Sequence, residues 1–131
     1  MEVTEIMNFL EDNGLSEIKE LKVKEDFIVI KCYYDFDKEE ISAARAYSNE
    51  ESDAEEESDE WYKDWFFSYL YDIAKDNVGE ILEETEEEFE VSSMYKVLDN
   101  EASSSEYVKF ITIFCNDTFE GDLEDVLKDY I

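Results

Sequence analysis

The stretch 61-WYKDWFFSYLYDIAKDNVGEILEE-84 decides how this chain folds, because it carries helical periodicity on two faces at once. One apolar stripe runs through Tyr62, Trp65, Phe66, Tyr69, Leu70 and Ile73, and a second through Phe67, Tyr71, Ala74, Val78, Ile81 and Leu82. A surface helix buries one stripe, so a helix with two is packed on two sides. The spacing predicts a long helix from Asp59 to about Glu87 that crosses the fold as its central element. A break can fall near Asn77 to Gly79, where Asn77 and Glu80 make a capping box.

On the N-terminal side, EVTEIMNFLEDNGL places Val3, Ile6, Met7 and Leu10 at helical spacing, with Gly14 as a stop. Alternation through Leu21 and Val23, a polar turn at Glu25 and Asp26, and a β-branched, aromatic run from Phe27 to Phe36 predict a hairpin. DKEEISAARAYS reads two ways. Asp37 with Glu40 makes a capping box, whereas Ile41, Ala43, Arg45 and Tyr47 alternate as in a strand; the box tilts residues 38–48 towards a helix without deciding it. On the C-terminal side, EFEVSSMYKVLD and EYVKFITIFCND predict a second hairpin joined through NEASSS, and Leu123, Val126, Leu127 and Ile131 a closing helix. The expected class is α+β: a four-stranded, mainly antiparallel sheet made of two hairpins, packed by the long aromatic-rich helix and by shorter terminal helices.

The 131 residues fit one domain, 1–131. They carry 39 Asp plus Glu against 11 Lys plus Arg, a formal charge of −28, yet 44% are hydrophobic and 15% aromatic, enough to fold a core beneath an acidic coat. Such a charge repels nucleic acid and anionic lipid, so neither direct nucleic-acid binding nor a membrane partner is expected, and partners should be basic. A halophile's coat is the bland explanation; ten Lys to one Arg and a wealth of Ile, Tyr and Phe speak against it. No signal segment or spanning run is present, and Cys32 and Cys115 sit in apolar stretches without CxxC spacing, which suits reduced thiols in a cytoplasmic protein.

Histidine is absent, which removes the commonest general base, the Ser-His and Cys-His pairs and the commonest transition-metal ligand. The three glycines form no phosphate-cradling loop. The segment from Asp35 starts like an EF-hand loop but has Glu40 where the turn needs Gly and Ala46 where the bidentate acid belongs; NDTFEGDLEDVL ends on Leu127. No catalytic residue, no metal site and no cofactor is expected.

What remains is charge placement. Residues 49–60, NEESDAEEESDE, hold eight acids and no base, and residues 49–100 carry −16 of the −28. Self-repulsion makes about 49–58 the expected mobile segment. Along the helix, every fourth residue from Glu60 gives Asp64, Ser68, Asp72, Asp76, Glu80 and Glu84, with Glu83 and Glu87 beside them. At about 6 Å per step this ridge approaches the line density of phosphates on one strand of a duplex. The candidate partner-binding residues are therefore Glu50, Glu51, Asp53, Glu55, Glu56, Glu57, Asp59, Glu60, Asp64, Asp72, Asp76, Glu80, Glu83, Glu84 and Glu87. The aromatic cluster reads mainly as core, with Trp61 and Tyr71, near the stripe edges, as candidate interface anchors. A plain solubilising coat explains acidity but not one-sidedness, since such coats mix both signs.

A small, strongly acidic α+β chain without His or Pro, with a strand pair before an aromatic helix and the NEESDAEEESDE run, resembles the DNA-mimic inhibitors of phages and mobile elements, including anti-CRISPR and anti-restriction proteins. The resemblance lies in overall composition, so it assigns no individual residue. It implies a non-enzymatic inhibitor that blocks the basic DNA- or RNA-binding channel of a defence or DNA-processing protein, such as a CRISPR effector. An immunity or antitoxin protein that plugs a basic nuclease toxin, and an acidic intracellular domain with no such partner, are the alternatives.

Overall fold

The computed structural model describes residues 1–98 and 106–130. The alternating segment folds as expected into β1 (Leu15–Val23) and β2 (Phe27–Asp35), an antiparallel pair in which Leu15 faces Tyr34 and Val23 faces Ile28. The second hairpin is β3 (Ser92–Val97) and β4 (Tyr107–Cys115); its joining NEASSS lies outside the described residues. Pairing of β2 with β4, Phe27 opposite Cys115 through Asp35 opposite Tyr107, places the strands in the order β1-β2-β4-β3, antiparallel throughout. Period-2 alternation sends Ile28, Ile30, Cys32, Phe110 and Phe114 to one face and Phe27, Val29, Ile111, Ile113 and Cys115 to the other. Cys32 and Cys115 thus lie on opposite faces, well apart along the sheet, and burial pushes the Cys32 thiol up to about 12.

The first face carries three helices. α1 (Val3–Asp12) buries Ile6 and Leu10 and ends before Gly14, whose φ of 104° only glycine adopts without strain. α2 (Lys38–Glu51) settles residues 38–48 as helix: Asp37 accepts from the Glu40 amide at 2.7 Å and Glu40 from the Asp37 amide at 3.0 Å, so the capping box forms in full. Residues 49–51, expected to open the mobile acidic segment, are the last turn of this helix.

The central helix starts at Asp59, as expected, passes through a π turn, Trp61–Phe66, and continues as α3, Phe67–Phe89. The expected break at Asn77–Gly79 does not occur. Asn77 uses its side chain away from the helix, donating to the Tyr34 hydroxyl at 2.6 Å, while that hydroxyl donates to Glu40 at 2.6 Å. Burial, then the bond to Glu40, raises the Tyr34 phenol to about 12. Gly79 stays helical where a side chain would meet the Tyr95 hydroxyl, 3.8 Å from a built Cβ. α3 ends on Glu90 at φ 54°, with the Glu90 and Val91 amides both returning to the Glu86 carbonyl, and the chain doubles back into β3.

α4 (Leu123–Lys128) covers part of the second face through Leu127, with Leu123 and Val126 half-buried; the last expected contact, Ile131, lies outside the described residues. Among the described residues no helix is long and apolar enough to cross a membrane.

Candidate partner-binding surface

The buried spine of the central helix is Phe66, the last residue of the π turn, followed by Leu70, Ala74, Val78 and Leu82 of α3, a single row at four-residue spacing. It draws on both predicted stripes because such a row winds slowly round the helix. Asp72, Asp76, Glu80 and Glu84 each follow a spine residue by two positions, about 200° round the axis, so they point away from the core. All four are exposed, as are Glu83 and Glu87 beside them. From Asp72 to Glu84 the row is about 18 Å long.

Upstream, the expected line is broken. The Phe67 amide reaches the Tyr62 carbonyl, five residues back, and this wider turn sets Glu60 and Asp64 out of phase with the acids of α3, although both remain exposed. The cause is aromatic packing. Residues five apart become neighbours in a π turn, and the Trp61 and Phe66 rings stack at 5.0 Å and 12°, the Tyr62 and Phe67 rings at 5.4 Å and 21°.

That turn also corrects the reading of Trp61 as an interface anchor. Trp61 is 0% exposed, stacked on Phe66 and donating its indole N–H to Asn49 at 2.9 Å, so it belongs to the core. Tyr71 is half-buried against the same core. The exposed aromatic of the helical layer is instead Tyr47, 39% exposed, with its ring 6.0 Å from Trp65 and 4.9 Å from Tyr69. Its helical position on α2 was hidden in the sequence by the alternation of residues 41–47.

Between α2 and the π turn the acidic run is organised by one cation. Arg45 stands over the Trp61 ring at 5.1 Å and pairs with Glu56 at 2.7 Å and Glu57 at 3.7 Å. The hydrogen bond to Glu56 raises its already high pKa further. Asn49 donates to Glu56 at 3.3 Å, the Tyr62 hydroxyl to Glu57 at 3.1 Å, and Ala54 packs on the core. Glu50, Glu51, Asp53, Glu55, Asp59 and Glu60 are exposed around this frame, and Asp59 edges a cleft of about 410 Å³ with Tyr62, Lys63 and Phe67.

Bases collect elsewhere. Lys19 faces Lys31, Lys31 faces Ile111 and Ile111 faces Lys96, a cross-strand row on the sheet face turned away from α1 to α3. Beside it Lys109 stands over Tyr33 at 5.6 Å and Tyr107 at 5.9 Å, whose rings stack at 4.7 Å. On the helical side, α3 and its π turn hold only Lys63 and Lys75, and Lys75 pairs with Asp72 at 3.7 Å. Lys96 pairs with Glu124 of α4 at 3.7 Å, so this face is mixed in sign, whereas the outer side of α3 is almost wholly acidic.

Among the described residues no three Cys, Asp or Glu side chains converge closely enough to hold a metal ion. The acids form lines, a geometry suited to contacting a row of cations and not to enclosing one ion. No family model, curated protein or solved structure matches the chain.

Proposed function

We propose that the protein is a non-enzymatic inhibitor whose carboxylate face stands in for a nucleic-acid backbone and occupies the basic channel of a DNA- or RNA-binding protein. The observation that carries this reading is the exposure of Asp72, Asp76, Glu80 and Glu84 in a regular line opposite the buried spine, with the exposed acids of residues 50–60 upstream as a separate group. Lysines and arginines that normally hold phosphates would make charge-assisted hydrogen bonds to them. Tyr47, Trp65 and Tyr69 give the helical layer a half-exposed aromatic cluster where a contact can exclude water and strengthen those pairs.

Exposed carboxylate pairs weaken with screening, so affinity should fall steeply between about 0.1 M and about 1 M salt, where the Debye length drops from about 10 Å to about 3 Å. A tagged pull-down washed at these two concentrations, followed by elution with duplex DNA or with RNA, tests the reading. A nucleic-acid-binding protein held at low salt and displaced by nucleic acid supports it. Reversing Asp72, Asp76 and Glu80 to Lys should abolish capture; capture that survives the triple reversal refutes the role of the ridge.

A further inference from the structure

The two edges of the sheet are treated differently. Edge strand β1 is interrupted by two register shifts, bends at Glu17 with φ 47°, and alternates charges through Lys19, Glu20 and Lys22, all devices that discourage a further strand. Edge strand β3 keeps an unbroken six-residue register against β4. The Leu98 amide bonds to the Lys109 carbonyl, which makes Lys96, Met94 and Ser92 the residues bonded inward and turns the backbone of Ser93, Tyr95 and Val97 outward. The Ser93 amide is taken by the Glu86 carboxylate at 2.7 Å. Among the described residues nothing accepts from the Tyr95 or Val97 amide.

Outside this edge runs a groove of about 370 Å³, with Gly79, Leu82, Glu83 and Glu86 of α3 on one wall and Met94 and Tyr95 on the other. α3 lies antiparallel to β3 here, because Ser93 meets Glu86 while Tyr95 reaches the Lys75 carbonyl and Gly79. The edge therefore offers open backbone bonding groups at Tyr95 and Val97, the flank of the acidic helix on one side and, on the opposite sheet face, the half-buried side chain of Met94.

We infer that the β3 edge docks an extended peptide segment of the partner, added as a fifth strand, with Lys or Arg at alternate positions on the α3 side, where Glu83 lines the groove, and apolar residues between them on the opposite sheet face beside Met94. Charge complementarity selects this occupant: a strand alternating basic and apolar side chains satisfies both sides, whereas an acidic or uniformly polar strand meets like charge on α3. The inference takes the basic partner from the function proposed above and assigns it a second, backbone-read contact beside the ridge.

The test uses the whole chain and an acetylated, amidated octapeptide of alternating lysine and valine, compared with the same peptide N-methylated on alternate residues. The second peptide keeps the charge but cannot pair as a strand. Docking predicts that the first peptide slows amide exchange at Tyr95 and Val97 roughly tenfold or more, by protecting amides that are open in the free protein. The N-methylated peptide should bind about tenfold more weakly. Met94→Lys, which places a charge on the sheet face that the valines would share, should weaken the first peptide to a similar degree; because the exchange readout is made on the unaltered chain, it stands even if that variant folds poorly. Equal binding of the two peptides, or protection absent at Tyr95 and Val97, overturns the inference. Edge docking with no capture of a nucleic-acid-binding protein overturns the mimicry reading alone, and ridge-dependent capture without edge protection overturns the docking inference alone.

Discussion

Replacing Gly79 by alanine should stabilise this protein, and the sign of the effect reports directly on the central helix. Gly79 sits mid-helix in α3, and its backbone lies outside the left-handed region. A Cβ built there finds only the Tyr95 hydroxyl, at 3.8 Å, an ordinary van der Waals contact. Nothing in the folded state opposes the change, while the unfolded chain loses the extra freedom that glycine gives it. A helix-interior glycine costs about 0.5–1 kcal/mol relative to alanine. With an unfolding entropy of about 2.1 cal/mol/K per residue, a chain of this length converts that into a rise of about 2–4 °C in Tm. Differential scanning calorimetry of the two proteins at equal salt is the assay. A fall in Tm refutes the reasoning, since it would mean either a break at Asn77–Gly79, with glycine in a conformation alanine cannot take, or a Tyr95 hydroxyl pinned by its bond to the Lys75 carbonyl too firmly to tolerate the methyl group.

Trp61→Ala should cost about 3–5 kcal/mol, the toll of emptying a fully buried indole site, read from urea unfolding. Trp61→Phe keeps a ring against Phe66 but leaves the Asn49 carbonyl oxygen without its donor, so a smaller loss of about 1–3 kcal/mol is expected by the same assay. Arg45→Ala removes exposed ion pairs that contribute at most about 1 kcal/mol, so Tm should fall by no more than about 4 °C, while cleavage by a Glu-specific protease within residues 52–58 should accelerate. Stability should fall as pH rises from about 9 to 12: Cys32 and Tyr34 ionise near their ordinary values of 9.0 and 10.0 when unfolded but only near 12 when folded, so in this window the unfolded state binds fewer protons. Urea midpoints at successive pH values check this, and Tyr34→Phe should flatten the part of the slope above pH 10.

The hairpins and the first helix were legible because their periodicities are strong and local: Leu21 and Val23 alternate, and Ile6 and Leu10 are four apart. The capping box at Asp37 and Glu40 was equally local, and it proved the better guide than the alternation beside it, since hydrogen bonds between residues three apart do not wait for tertiary structure. A similar box at Asn77 misled. The Asn77 side chain is claimed by Tyr34, 43 residues away, a partner that no local pattern records. Trp61 was misplaced for a related reason. Reading at 3.6 residues per turn puts it on the rim of a stripe, but stacking on Phe66 selects a π turn and carries it inward. The exposure of the acids was legible throughout, because unpaired carboxylates stay in water whatever the fold does.

The acidic row also has to be reconciled with the helix that bears it. Asp72–Asp76, Asp76–Glu80, Glu80–Glu84, Glu84–Glu88 and Glu83–Glu87 are like-charged pairs four apart, each costing about 0.2–0.5 kcal/mol, or about 1–2.5 kcal/mol together. On the opposite side Phe66, Leu70, Val78 and Leu82 are almost wholly buried, at about 1.5–3 kcal/mol each. Burial outweighs repulsion several-fold, so α3 is held by its spine and its outer face is free to carry charge that no intrinsic helix preference favours. The two faces are consequently separable. Substitutions in the spine act on folding, whereas removing acids from the ridge relieves repulsion and leaves the fold intact or slightly firmer. A ridge that weakens its own helix without contributing to the core is consistent with the basic partner proposed above, whose row of cations would gain from every carboxylate the helix tolerates.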